Sequence, residues 1–236
     1  LLIFAPLALS AAEPPSVTLD IPSHEALSES GLVIVTEMYR RVGYQVHEAR
    51  LPVRRSLVNS EAGESDGEVL RAAELQVRFP DLIKIPEPLL EFDIVAFTVG
   101  GATSLPGGWE DLRGHPLCAR LGILIIEDRL HDMTVDYAED SSQVFRMLKA
   151  GRCDYAVLPR TAWIEAETAG IGGLAEARPV LGHYIAYHFL NKRHADLVPA
   201  LAEALRQLKH DGFTAKVVTE LNAAIAAAQA DSSAVR

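Results

Sequence analysis

Ala62-Gly63-Glu64-Ser65-Asp66-Gly67-Glu68-Val69-Leu70 and Ala150-Gly151-Arg152-Cys153-Asp154-Tyr155-Ala156-Val157-Leu158 spell one pattern twice, Ala-Gly-x-x-Asp-x-x-Val-Leu. In each, glycine supplies the left-handed conformation that ends a helix, two residues turn the chain, and the aspartate opens a buried strand. Working outward from the first copy, residues 17–21 read as a strand and 30–42 as a helix. Leu32, Val35, Met38, Tyr39 and Val42 share one helix face, and Gly43 lies past its end. A strand over 44–50, a helix from Pro52 through Glu61 and a strand over 66–70 complete a βαβαβ unit. Around the second copy, strands over 116–121, 133–137 and 154–158 alternate with helices over 123–131 and 142–150. The chain therefore carries two α/β units built to one plan.

Between them lies a continuous apolar run, residues 92–99, which suits a strand buried on both faces. It is followed by the flexible connector Gly100-Gly101-Ala102-Thr103-Ser104-Leu105-Pro106-Gly107-Gly108. After a helix over 161–168 and a glycine-rich turn at 170–173, a second buried strand over 184–190 carries the chain back. Helices over 195–209 and 214–229 are expected to cover the first lobe, with a frayed tail from Ala230.

The 236 residues hold 32 acidic and 22 basic side chains, a net charge of -10, and 49% hydrophobic positions. That composition describes a globular chain and excludes collagen-like, disordered and disulfide-scaffold classes. No cluster of cations is present to bind phosphate backbones, so nucleic acid is excluded as a partner. Leu1 to Leu9 is apolar, Ser10-Ala11-Ala12 are small, and Glu13-Pro14-Pro15 follow, the order of a secretory signal's core and cleavage site. Residues 1–12 are accordingly expected to be a signal-peptide remnant of an exported, periplasmic protein, against the alternative of a buried first strand.

The repeated turn motif, Leu148-Lys149-Ala150-Gly151-Arg152-Cys153-Asp154 and the closing Asn191-Lys192-Arg193-His194-Ala195-Asp196-Leu197-Val198-Pro199 together resemble type II periplasmic solute-binding proteins, the group that includes polar amino-acid binders. The resemblance spans about residues 16–222. It implies two α/β lobes, 13–98 plus 185–236 and 99–184, joined by two crossing strands. It also implies capture of a small molecule by hinge closure, delivery to an inner-membrane permease of an ABC transporter, a monomer, no cofactor and no catalysis.

In the amino-acid binders an arginine about a dozen residues past the Asp66 position pairs with the ligand carboxylate, after a threonine. Arg78 has that spacing without the threonine. Arg71 is nearer the carboxyl end of its strand, where crevice ligands bind in α/β sheets, and is favoured. The second-lobe strand ends in Leu158-Pro159-Arg160 where the family usually places an acid, and Arg120-Leu121-Gly122-Ile123 lacks the usual hydroxyl residue. Both departures argue against an α-amino acid, and the expected ligand is a small polar or anionic molecule.

The candidate ligand-binding residues are Ser23, His24, Arg55, Asp66, Arg71 and Arg160. The three arginines would offer planar donor forks, and Ser23 and His24 follow the first strand at its carboxyl end. Asp66 is as readily a turn-stabilising residue. His24 with Asp66 is also the one acid/base pair available to a rival reading, a dehydratase-like enzyme on the same scaffold. A third reading is a ligand-sensing partner of a membrane receptor. The eight histidines form no HExxH pair and no zinc-finger spacing with cysteine, so no metal is expected. Cys118 and Cys153, placed on neighbouring parallel strands, read as two buried thiols in preference to a disulfide, although export would permit a bond. Trp109 and Trp163 read as core or rim packing, with stacking on a ligand ring as the alternative.

Overall fold

Both copies of the repeated turn fold alike. Gly63 and Gly151 sit at φ +75 and +69 and donate to Ser60 O and Leu148 O. The aspartates that follow send their backbone N–H to the neighbouring strand segment, Asp66 to Thr18 O at 2.7 Å and Asp154 to Pro116 O at 2.8 Å. A computed structural model describes residues 13–23, 25–101 and 103–234. The signal-peptide expectation for residues 1–12 and the candidate His24 lie outside the described residues.

The first unit comprises β1 (Ser16–Pro22), α1 (Ala26–Arg41), β2 (Gln45–Leu51), α2 (Val53–Glu61) and β3 (Gly67–Ala72). A short α3 (Leu75–Arg78) and β4 (Leu82–Lys84) precede β5 (Leu90–Val99). The second unit comprises β6 (Leu117–Arg120), α4 (Leu124–Arg129), β7 (Val135–Ala138), α5 (Ser141–Lys149) and β8 (Tyr155–Pro159). Then come α6 (Ala162–Thr168), β9 (Leu174–Glu176), β10 (Gly182–Asn191), α7 (Val198–His210) and α8 (Phe213–Ala234).

Strand order is β2-β1-β3-β10-β5-β8-β6-β7, a sequence that reads the same from either end: second, first, third, crossing strand, in each half. Within each unit the strands run parallel, and β5 and β10 are antiparallel to their neighbours. β5 and β10 also pair with each other, Gly182 opposite Ile94 to Ala186 opposite Leu90. The two lobes are thus joined through the paired crossing strands into one hydrogen-bonded path.

Each half has its own apolar core. In the first, Ile34, Val35 and Met38 of α1 meet Leu201 and Leu205 of α7 over β1 and β3. In the second, Phe97, Phe145 and Trp163 stack edge to face over Val95 and Leu158, with Trp163 fully buried, so this tryptophan is a core residue. Rings packed this way are held by their quadrupoles as well as by burial.

Two expectations need correction. Cys118 and Cys153 are joined in a disulfide, with Cα atoms 5.7 Å apart. Cys153 lies in the turn before β8, not in the strand, so the alternating side-chain direction of a strand does not aim it away from β6. The carboxyl-terminal helix does not fray at Ala230 and does not cover the first lobe alone. Ser232 is buried, its carbonyl accepts Gly173 N–H, and its hydroxyl accepts Leu174 N–H. Ile225 of α8 packs against both cores, so this helix straddles the halves.

Candidate functional site

The carboxyl ends of the parallel strands of both units face one another, and the residues just past them line a cleft of about 90 Å³. Leu70, Arg71 and Ala72 come from the end of β3, Gly122 to Ile125 from the β6–α4 turn, and Pro159 from the end of β8, with Phe92 of β5 also lining it. Gly122 marks the closest approach. It stands at φ +92, and a Cβ on it would lie 2.8 Å from the Val53 Cβ of the opposite half. Any side chain there would meet α2 and hold the halves apart.

Two cations line this cleft among the described residues, Arg78 at its mouth and the more deeply set Arg71, with 11% of its side chain exposed, and Glu25, Glu74 and Asp128 line it too. Its Nη2 donates to Ser56 Oγ at 2.6 Å and lies 2.8 Å from Glu68 Oε2. Its Nε is buried with no hydrogen-bond partner. Glu68 lies wholly inside the first half, accepting from Ser60 Oγ at 3.0 Å and weakly from Ser56 Oγ. Burial pushes its carboxyl up to about 7, against the pull of Arg71. Burial thus weakens the negative charge that faces Arg71. Beneath them His188 anchors the strand, its Nδ1–H donating to Glu68 O at 2.8 Å and its Nε2 accepting from Tyr39 Oη at 3.0 Å. Burial holds that imidazole down at about 4, which keeps it neutral.

Charged contacts cross the mouth. Arg78 of α3 pairs with Asp128 of α4, and Arg54 of α2 pairs with Glu127 at 3.0 Å. Deeper in, Arg120 at the end of β6 is almost fully buried and reaches into the first half, donating to Ser23 O at 3.1 Å as well as to Glu139 O. Glu25 lies 3.7 Å from the same guanidinium. Leu124 of α4 packs on the first-half cluster of Leu57, Leu75, Leu82 and Phe189.

Of the residues expected from sequence, the structure brings Arg71 to the cleft wall. Ser23 sits at the interlobe junction, contributing its carbonyl to Arg120. Arg55 is exposed on α2, outside the cleft lining. Arg160 follows Pro159 but is claimed by carboxylates: its Nη2 donates to Glu176 Oε1 at 2.8 Å and its Nη1 to Asp93. Asp66 stands at the opposite end of β3, where its Oδ2 accepts Thr18 N–H at 2.7 Å and its Oδ1 faces Arg193 and His194. Arg120, Glu25 and Glu68 went unread. Arg120 had a signal in the sequence, an arginine ending the apolar run Leu117-Cys118-Ala119, since a cation buried there must find partners across the chain.

Among the described residues no helix is long and apolar enough to cross a membrane, and no group of three or more His, Cys, Asp and Glu could hold a metal ion. The fold is that of the type II periplasmic binding proteins. A histidine kinase sensor domain with similarity to periplasmic binding proteins superimposes with a TM-score of 0.75 at 15% identity, over 89% of this chain and 97% of that one. An ancestral arginine-binding protein bound to arginine gives 0.73 at 16% identity, over 89% and 99%. A mutant of ArgBP from T. maritima gives 0.71 at 19% identity, over 88% and 95%. An uncharacterized protein of Shewanella oneidensis is 26% identical over 211 residues, which is 84% of this chain and 79% of that protein. No family model matches the chain.

Proposed function

We propose that the chain is an exported solute-binding protein that captures a small anionic molecule, with a carboxylate the best match, between a lobe of residues 13–98 plus 185–236 and a lobe of residues 99–184. The observation that carries this reading is the buried Arg71 Nε, a charged donor on the cleft wall with no acceptor of its own. A buried cationic N–H left unpaired costs on the order of 1–3 kcal/mol, which a ligand oxygen would recover. Ligand contacts that span both lobes exist only when the cleft is shut, so binding shifts the population toward closure by that difference in affinity. The likeness to substrate-binding proteins of amino acid ABC transporters supports delivery to an inner-membrane permease.

The likeness to a histidine kinase sensor domain supports a second reading, in which the same closure is read by a membrane receptor. A permease gene beside this one favours transport and a kinase gene favours sensing. The binding reading itself is tested by a thermal-shift screen of carboxylates, sugar acids and amino acids. A ligand at 100 times its dissociation constant adds about 2.7 kcal/mol of stability. At least one carboxylate is expected to raise the melting temperature of the wild type and not of Arg71→Ala; a screen in which no carboxylate does so rejects the proposal.

A further inference from the structure

A second, larger cavity of about 730 Å³ lies apart from the Arg71 cleft and shares only Glu25 with it. It too is built from both halves. α1 of the first half forms one wall, the amino end of α5 and the length of α6 in the second half form the other, and α8 closes it where that helix straddles the two. The volume falls within the range of about 300–1,000 Å³ typical of small-molecule sites.

Its chemistry differs from that of the first cleft, whose lining mixes Arg71 and Arg78 with Glu25, Glu74 and Asp128. Val33, Ile164, Val217 and Leu221 give it an apolar floor, while Glu25, Glu29, Asp140, Glu165 and Glu220 place carboxylates around it. No lysine, arginine or histidine is among the described residues that line it. Most of those carboxylates already have a task. Glu29 pairs with Arg50, Glu25 lies beside Arg120, Glu220 lies 3.9 Å from Lys216, and Asp140 caps α5 by accepting Gln143 N–H at 2.8 Å.

Glu165 differs from them. Its Oε1 accepts Ala26 N–H at 3.3 Å across the interlobe gap, capping α1, and its Oε2 is buried with no hydrogen bond of good geometry, while the Ser141 hydroxyl lies close to the carboxyl and favours its charged form. No salt bridge with a cation is formed by it among the described residues, and burial pushes its carboxyl up to about 7. An unpaired carboxylate oxygen at the wall of an apolar cavity is a costly arrangement that a cationic N–H donor would relieve.

We propose that this cavity is a second ligand site, which takes a small organic cation carrying one ammonium group on an apolar body, with Glu165 as its anchor. The apolar floor would hold the body and Glu165 Oε2 the ammonium. Because the walls belong to different halves, occupancy would couple to their relative orientation.

The test is isothermal titration of the full chain with hexylammonium, against hexanoate and 1-hexanol as probes of the same length. Saturable binding of hexylammonium is expected, weakened about tenfold or more by Glu165→Gln and unchanged by Arg71→Ala, with neither control compound competing for it. Ala224→Trp, which fills the cavity from an exposed position on α8 and leaves every carboxylate in place, should also abolish it. The proposal is overturned if hexylammonium does not bind saturably, if a folded Glu165→Gln binds it as the wild type does, or if Arg71→Ala removes it while Ala224→Trp does not.

Discussion

The two halves clasp the same point of the same backbone by different chemistry. In the first, Ser65 in the turn donates to Asp20 of β1 at 2.8 Å. In the second, Cys153 occupies the matching place in the turn and bonds Cys118 of β6. The register makes the positions equivalent: Asp20 is opposite Glu68, and Cys118 is opposite Ala156, each two residues past the aspartate of its motif. From there the halves diverge. The polar clasp of the first half is joined by Asn59, which donates to Asp20, and lies beside the Glu68–Arg71 pair that ends at the cleft. The second half has Ala156 and Pro159 at the positions of Glu68 and Arg71. The first half therefore places a buried ion pair at the end of β3, where the second half has alanine and proline and a cross-link in its turn.

The widest difference between the clasps should appear when each is cut. Reducing Cys118–Cys153, or replacing both by alanine, releases a loop of 35 residues. Loop-closure entropy for such a span is about 4 kcal/mol, so a large drop in the denaturation midpoint is expected. A loss below about 1 kcal/mol would show that the second half does not depend on its cross-link.

Next comes the buried acid. Burial raises the Glu68 carboxyl from its ordinary value of 4.5 to about 7 in the folded chain. The folded chain keeps a proton that the unfolded chain releases, so this group's contribution declines as pH rises from about 4.5 to 7. The full decline is about 3 kcal/mol at most. Glu68→Gln should flatten that slope when urea melts are compared across the window. An unchanged difference between the two proteins at every pH would remove Glu68 from the account.

Ser65→Ala should cost about 1–2 kcal/mol, less than the disulfide, because it strands one acceptor of a buried carboxylate that retains Asn59. Burial already raises the Asp20 carboxyl, and the loss of Ser65 should raise it further. The smallest effect is expected at the cleft mouth. Arg54→Ala breaks a pair whose arginine is 60% exposed, and such pairs contribute about 0–1 kcal/mol.

Much of this was legible in advance, for identifiable reasons. The repeated glycine turn located both units because a left-handed residue after an aliphatic helix has few alternatives. The first crossing strand was visible because Ile94, Val95, Ala96 and Phe97 of β5 form an apolar run buried on both faces. The disulfide was not, since it depends on Cys153 falling just outside its strand. Arg55 was misjudged although its position was readable: Val53, Ser56, Leu57 and Ser60 form the buried face of α2, which turns Arg55 to solvent. Arg160 was beyond reach, because its partners Asp93 and Glu176 come from β5 and from the three-residue β9, a strand too short to leave a pattern. The place of Arg71 on the cleft wall was readable because it lies near the end of a parallel strand, where such sheets open onto their crevice.

The measurement closest to the central claim is a titration of the best carboxylate from the screen into wild type, Arg71→Ala, Arg55→Ala and Arg160→Ala. If the first lobe alone delivers charge to the cleft, Arg71→Ala should weaken binding about 100-fold, the loss expected for a desolvated charge-assisted contact, while Arg55→Ala and Arg160→Ala change it by no more than about threefold. Equal losses across the three arginines, or unaltered affinity in Arg71→Ala, would contradict the account.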